Sequence, residues 1–126
     1  MSDKFDLVER IIAATAAEQR LLLAEAFNLL FPEPTDPEPE WHGVGLRHPL
    51  FHQWYTRKRR FITLLDAEAY ENAAFLLVPE GWHWTVNDFG NKASAYIINA
   101  DNDMVRARNQ FQATAALAIT AVSLSV

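Results

Sequence analysis

The stretch FLLVPEGWHWTV, residues 75–86, most limits the folds open to this chain. It starts as an apolar run of helical character, which Pro79 ends because proline has no amide hydrogen to donate. Gly81 supplies a turn, and the pattern then alternates so that Trp82 and Trp84 share one strand face. We expect both tryptophans to lie in a core rather than to stack a ligand. A helix followed directly by a strand indicates an α+β domain.

The residues before this stretch, TLLDAEAYENAAFLLV (63–78), predict a half-buried helix. Asp66 is its expected N-cap, because a carboxylate there accepts a free amide at a helix start. Its apolar positions follow the i, i+3, i+4, i+7 spacing of a buried stripe. They are Tyr70, Ala73, Ala74 and Leu77.

Residues 3–31 also carry apolar positions at helical spacing and predict amphipathic helix. Thr15 and Glu18 form a T-x-x-E tetrad, in which each side chain can satisfy a free amide at a helix start. The tetrad either divides the segment into a short and a longer helix, or is incidental in one uninterrupted helix. Both alternatives remain open at this point.

The segment PEPTDPEPE, residues 32–40, contains four prolines and four carboxylates. Proline cannot continue a helix, and the mutual repulsion of the acids favours an extended chain. We interpret it as an acidic linker within a single domain of residues 1–126. The linker separates an N-terminal helical arm, residues 1–31, from an α+β core, residues 41–126.

Three alternating segments then predict an antiparallel meander. WHWTV is followed by the turn-rich VNDFGNK, by the strand ASAYIINA and by MVRAR, in which Arg106 and Arg108 face solvent. From Thr114 the apolar spacing predicts a closing helix, although the β-branched residues of ITAVSLSV leave a strand as the alternative. The predicted fold class is α+β: an N-terminal helix pair, a helix, a three-stranded antiparallel meander and a closing helix.

Composition restricts the classes of function. The formal charge of −5 opposes nonspecific attraction to phosphate backbones, and the absence of cysteine excludes disulfide scaffolds and thiol nucleophiles. The first residues lack the pattern of a secretory signal, and no apolar run reaches the roughly 20 residues of a membrane span. We therefore expect a cytoplasmic protein without a membrane partner.

Four histidines invite a metal hypothesis, since imidazole is a common zinc ligand. They are His42, His48, His52 and His83. Pro49 lies between the two that have helical spacing, and the H-E-x-x-H pattern of zinc hydrolases is missing. No carboxylate pair, nucleophile elbow or phosphate loop stands out either, so we predict no metal, cofactor or catalytic residue.

The segment WYTRKRRF, residues 54–61, gathers four of the eleven basic side chains between aromatic ones. Aromatic stacking combined with phosphate contacts is typical of proteins that hold single strands, but a basic patch can equally bind a protein. A solvated strand or loop that docks on the acidic linker is a third interpretation. The predicted partner-binding residues are Trp54, Tyr55, Arg57, Lys58, Arg59 and Arg60.

The run Leu77 to Trp84, L-V-P-E-G-W-x-W, resembles a group of small uncharacterised proteins of phages and prophages of proteobacteria. The following hairpin, the strand near VRAR and the segment TAALAITAVSLS extend the similarity over most of the chain. The group is akin to the phage ABA-sandwich domain. It usually has a proline where Ala115 stands and a charged tail where TAVSLSV stands. This uncharged terminus suggests a contact with a second copy or a partner.

The resemblance implies a phage or prophage accessory protein in the bacterial cytoplasm, with no catalytic residue to carry over. Our first expectation is a noncatalytic module that binds a host or phage protein through residues 54–60. A nucleic-acid binder that uses Arg57 to Arg60 is the alternative, and a metal-dependent enzyme built on the histidines is the third hypothesis.

Overall fold

The computed structural model describes residues 3–34 and 49–126. Two helices come first, α1 (Asp3–Ile12) and α2 (Gln19–Leu30), joined through a 3₁₀ turn, Ala16–Glu18. Two more follow, α3 (Pro49–Asp66) and α4 (Tyr70–Phe75). Strands β1 (Trp82–Asp88), β2 (Ala93–Asn99) and β3 (Met104–Arg106) precede the last helix, α5 (Ala115–Leu124). This order confirms the predicted α+β class.

The three strands form an antiparallel sheet in the order β1-β2-β3. Trp84 pairs with Ile97 and Val86 with Ala95, which fixes the register of the hairpin. Ala95 and Ile97 are buried on the face that packs against α5. The predicted meander is therefore correct, and its alternation directs one face of β2 into the core.

Helix α5 lies at the centre of the molecule. All ten of its residues are buried, and it contacts α1, α2, α4 and the sheet. Thr114 is its N-cap, with Oγ1 accepting a hydrogen bond from the amide of Leu117 at 3.1 Å. The strand alternative for this segment is wrong. In the capped helix the backbone amides and carbonyls hydrogen-bond within the helix itself, as a fully buried segment requires. Residues 115–124 of the uncharged terminus are buried by the chain itself, whereas Ser125 and Val126 are exposed.

The N-terminal segment is divided at the predicted tetrad. The Glu18 carboxylate accepts a hydrogen bond from the Thr15 amide at 3.1 Å, and α1 and α2 lie on either side. Both helices contribute buried residues to the core that they share with α5. Arg10 on α1 donates two hydrogen bonds to Glu25 on α2, which lowers the pKa of the Glu25 carboxyl and links the helix pair.

The helix predicted across residues 63–78 is divided as well. Asp66 is the last residue of α3 rather than an N-cap, and Glu68 adopts a left-handed backbone with φ +59°. This conformation ends α3 and redirects the chain into the short α4. The predicted apolar stripe survives the division, because Ala73, Ala74 and Leu77 are fully buried.

The two tryptophans of β1 differ in their surroundings. Trp82 is half-buried and packs against the core, as predicted. Trp84 remains 41% exposed, so its predicted core position is wrong. Its ring instead stacks on Phe75 with centroids 4.0 Å apart and planes 6° apart. Strand β1 lies at the edge of the sheet, and α4 covers only one side of this ring.

Candidate functional site

The basic segment is part of α3, an 18-residue helix that begins at Pro49. The expectation of a strand or loop there is wrong. Proline suits the first helical position, where its missing amide hydrogen costs nothing, and Arg and Lys are good helix formers. The helical spacing distributes the six predicted residues over three faces of α3.

The first face attaches α3 to the body of the protein. The Phe61 ring stacks on Phe27 of α2 with centroids 4.7 Å apart, and Leu65 is buried one turn later. Trp54 lies on this face and donates from Nε1 to the carbonyl oxygen of Phe31 at 2.8 Å. Trp54 is thus an anchoring residue of α3, not a freely presented contact.

The second face points outward. Tyr55 is 47% exposed, and the Arg59 guanidinium lies 5.9 Å from the centre of its ring. The Lys58 ammonium lies 4.8 Å from the Trp54 ring. A cation held over a ring keeps its charge in solvent while its stem is partly ordered. This outer face therefore presents two preorganised cations beside one exposed aromatic ring.

The third face borders an open groove of about 1200 Å³, which we call the α3 groove. Five α3 side chains line it, and all of them are polar or charged. They are His52, Gln53, Thr56, Arg57 and Arg60. The other wall consists of Phe75, the last residue of α4, and the following residues 76–79, and Arg57 lies 4.4 Å from the centre of the Phe31 ring, which also lines the groove.

The four basic residues of α3 make no ion pair within the described residues 3–34 and 49–126. The ion pairs found there engage Arg10, Arg20 and Arg108 instead. One of these joins Arg108 to Glu9, and Arg108 faces solvent as expected. Among the residues that the structure describes, basic side chains without an ion pair are therefore most numerous on α3.

Ser123 of α5 lies in the wall of the α3 groove. It is 1% exposed, and its hydroxyl has no hydrogen-bond partner among the described residues. Two other hydroxyls of this segment donate to the carbonyl four residues earlier, Thr120 to Ala116 and Ser125 to Ala121, both at 2.7 Å. Ser123 thus carries a desolvated polar group that the fold does not satisfy.

We expect Ser123→Ala to raise the free energy of unfolding by about 1 kcal/mol, because it removes a buried hydroxyl without a partner. The matched variant Thr120→Val removes a hydroxyl that is bonded, and we expect it to be neutral or destabilising by up to about 1.5 kcal/mol. Urea denaturation of both variants measures the difference. A destabilised Ser123→Ala protein would show that the hydroxyl is satisfied.

The six predicted partner-binding residues therefore lie on one helix, but they do not form one continuous surface. Arg57 and Arg60 face the groove, Tyr55, Lys58 and Arg59 face outward, and Trp54 faces the body. Sequence reasoning missed the groove itself. The sequence predicts a helix end and a turn at the apolar wall but not a groove, and no sequence pattern marks Ser123 as unpartnered.

The metal hypothesis finds no assembled site in the part of the chain that the structure describes. No group of three or more His, Asp or Glu side chains there is placed to hold an ion. His52 lines the groove, whereas His83 lies exposed on β1. His42, His48 and most of the acidic linker lie outside the described residues.

Comparisons with known proteins give no relative: no family model, curated protein or solved structure matches this chain. Across the ranges 3–34 and 49–126, none of the helices combines the length and the apolar character that crossing a bilayer requires.

Proposed function

We propose that this chain is a noncatalytic accessory protein that binds a protein partner through α3. The supporting observation is the concentration of cations on one exposed helix. Four basic side chains of α3 make no ion pair within the described residues, and Arg59 among them lies over the exposed Tyr55 ring, in a chain whose formal charge is −5. Such a local reversal of sign steers an acidic partner to one place on the surface.

A protein partner agrees better with the aromatic side chains than a nucleic acid does. Base stacking needs free ring faces, yet the Trp54 ring is anchored to Phe31 and approached by Lys58. Of the two aromatic side chains among the predicted partner-binding residues, Tyr55 is the exposed one.

We further propose that the protein works in a bacterial cytoplasm as a phage or prophage gene product. This context is supported by the resemblance of the run Leu77 to Trp84. In the fold this run follows the end of α4, turns at Gly81 and enters β1. The same run supplies part of the apolar wall opposite α3.

The test is a pull-down of tagged protein from bacterial lysate, with and without nuclease, read by mass spectrometry. We expect a protein partner that survives nuclease and is lost in the variant Arg57→Glu/Arg59→Glu, which reverses one cation on each exposed face of α3. Circular dichroism should show that this variant stays folded, because both side chains are exposed.

The matched control is Lys92→Glu/Arg106→Glu, which makes the same change of charge on the sheet side of the molecule. Both of these residues are also exposed cations over aromatic rings. A partner lost equally in both variants would contradict the assignment to α3. Loss of every partner on nuclease treatment would favour the nucleic-acid alternative, and salt-dependent binding would then support it.

A further inference from the structure

The two walls of the α3 groove have opposite chemical character. The α3 wall presents only polar and charged side chains, whereas residues 75–79 present Phe, Leu, Leu, Val and Pro. Helices pack within a domain by burying apolar faces, so this stripe of α3 is not suited to close against that wall. The polar stripe of α3 therefore leaves the groove open. A ligand that fits between the two walls needs one polar side and one apolar side.

The charged side chains of the groove determine which ligand charge is favoured. Arg57 and Arg60 lie one turn apart on α3, and Lys4 of α1 adds a third cation to the lining. Glu80 is the carboxylate side chain among the described lining residues. The groove therefore carries a positive balance inside a negatively charged protein, which favours an acidic ligand.

The size of the groove also favours a ligand. The volume of about 1200 Å³ lies above the roughly 300–1,000 Å³ of pockets for small molecules. An open groove of that size, with one apolar wall, suits a segment of peptide.

We propose that the α3 groove binds an acidic amphipathic peptide segment of the partner. Its carboxylates contact Arg57 and Arg60, and its large apolar side chains lie on residues 75–79. This inference rests on the proposed function and narrows it. It assigns recognition to the groove face of α3 rather than to the outer face with Tyr55, Lys58 and Arg59.

The test is selection from a random peptide library displayed on yeast, with the full chain as bait. We expect selected peptides to combine Asp or Glu with large apolar residues. Labelled synthetic copies should bind at least about tenfold more weakly to Arg57→Glu/Arg60→Glu, as measured by fluorescence anisotropy. Leu76→Ser should also weaken them, since Leu76 belongs to the apolar wall.

The matched control is Lys58→Glu/Arg59→Glu, which makes the same change of charge on the outer face of the same helix. Its affinity for the peptides should stay within about twofold of the wild-type value, because exposed charges outside the contact contribute little.

Several outcomes would overturn the inference. Selected peptides without acidic residues, or binding insensitive to Arg57→Glu/Arg60→Glu, would remove the groove as the site. If Lys58→Glu/Arg59→Glu alone abolished binding, the outer face would be the site, and the proposed function would survive without the groove. If peptides bound only after Asp36, Glu38 and Glu40 were changed to amides, the acidic linker of this chain would be the occupant.

Discussion

Replacing Ala121 with aspartate is expected to abolish folding. Ala121 is fully buried in the central helix α5, which contacts three other helices and the sheet. An unpaired carboxylate there loses its hydration and gains no cation, at a cost of several kcal/mol. Since a domain of this size is stable by only about 5–15 kcal/mol, the folded state should not persist. Far-UV circular dichroism and size-exclusion chromatography measure this loss.

The matched control is Ser125→Asp, one helical turn further along the same segment. Ser125 is exposed, so the new carboxylate stays hydrated, and we expect a cost of about 1 kcal/mol from the unfavourable charge at a helix end. A cooperative unfolding transition close to that of the wild type in the Ala121→Asp protein would contradict the central position of α5.

Phe61→Ala is expected to lower the free energy of unfolding by about 3–5 kcal/mol. Phe61 is 2% exposed, and its ring stacks on Phe27 at 4.7 Å, so truncation leaves a cavity where α3 meets α2. Because this contact anchors the basic helix, binding through α3 should weaken as well. Urea denaturation gives the loss of stability, and amide hydrogen exchange shows whether α3 opens before the rest of the molecule.

Ile62→Ala serves as the control, because Ile62 is the neighbouring residue and is 40% exposed. We expect it to change stability by less than about 1 kcal/mol. Similar losses in the two variants would mean that α3 is not attached through Phe61. Unchanged hydrogen exchange of α3 in a destabilised Phe61→Ala protein would mean that α3 unfolds only with the whole domain.

Local sequence patterns predicted helix boundaries where a capping residue fits only a helix start. Of the two alternatives that the T-x-x-E tetrad left open, the structure shows the division between α1 and α2, and of the helix and strand alternatives after Thr114 it shows the helix α5. Asp66 was misassigned because an acid before an apolar run looks the same whether it ends one helix or starts the next. The turn at Glu68 depends on a left-handed backbone conformation. A glutamate does not predict this conformation, because glycine is the residue that usually adopts it.

The site was predicted less completely because it depends on orientation. Basic and aromatic residues in WYTRKRRF identified the right segment, but only the rotation of α3 shows that Arg57 and Arg59 face different surroundings. The groove joins side chains from α3 with a wall about 20 residues away and with Ser123. Contact between such distant segments is a result of tertiary packing. The hydrophobic periodicity of a single segment does not predict it.

The central position of α5 also has a consequence for the order of events during protein synthesis. Helices α1 and α2 pack on a helix that follows them by about 100 residues, which the ribosome adds in roughly 5 to 20 s. Until then the parts of their apolar faces that pack on α5 have no permanent partner. Over that interval the nascent chain needs either transient burial of these faces or protection by a chaperone, and the native core closes only after α5 leaves the ribosome.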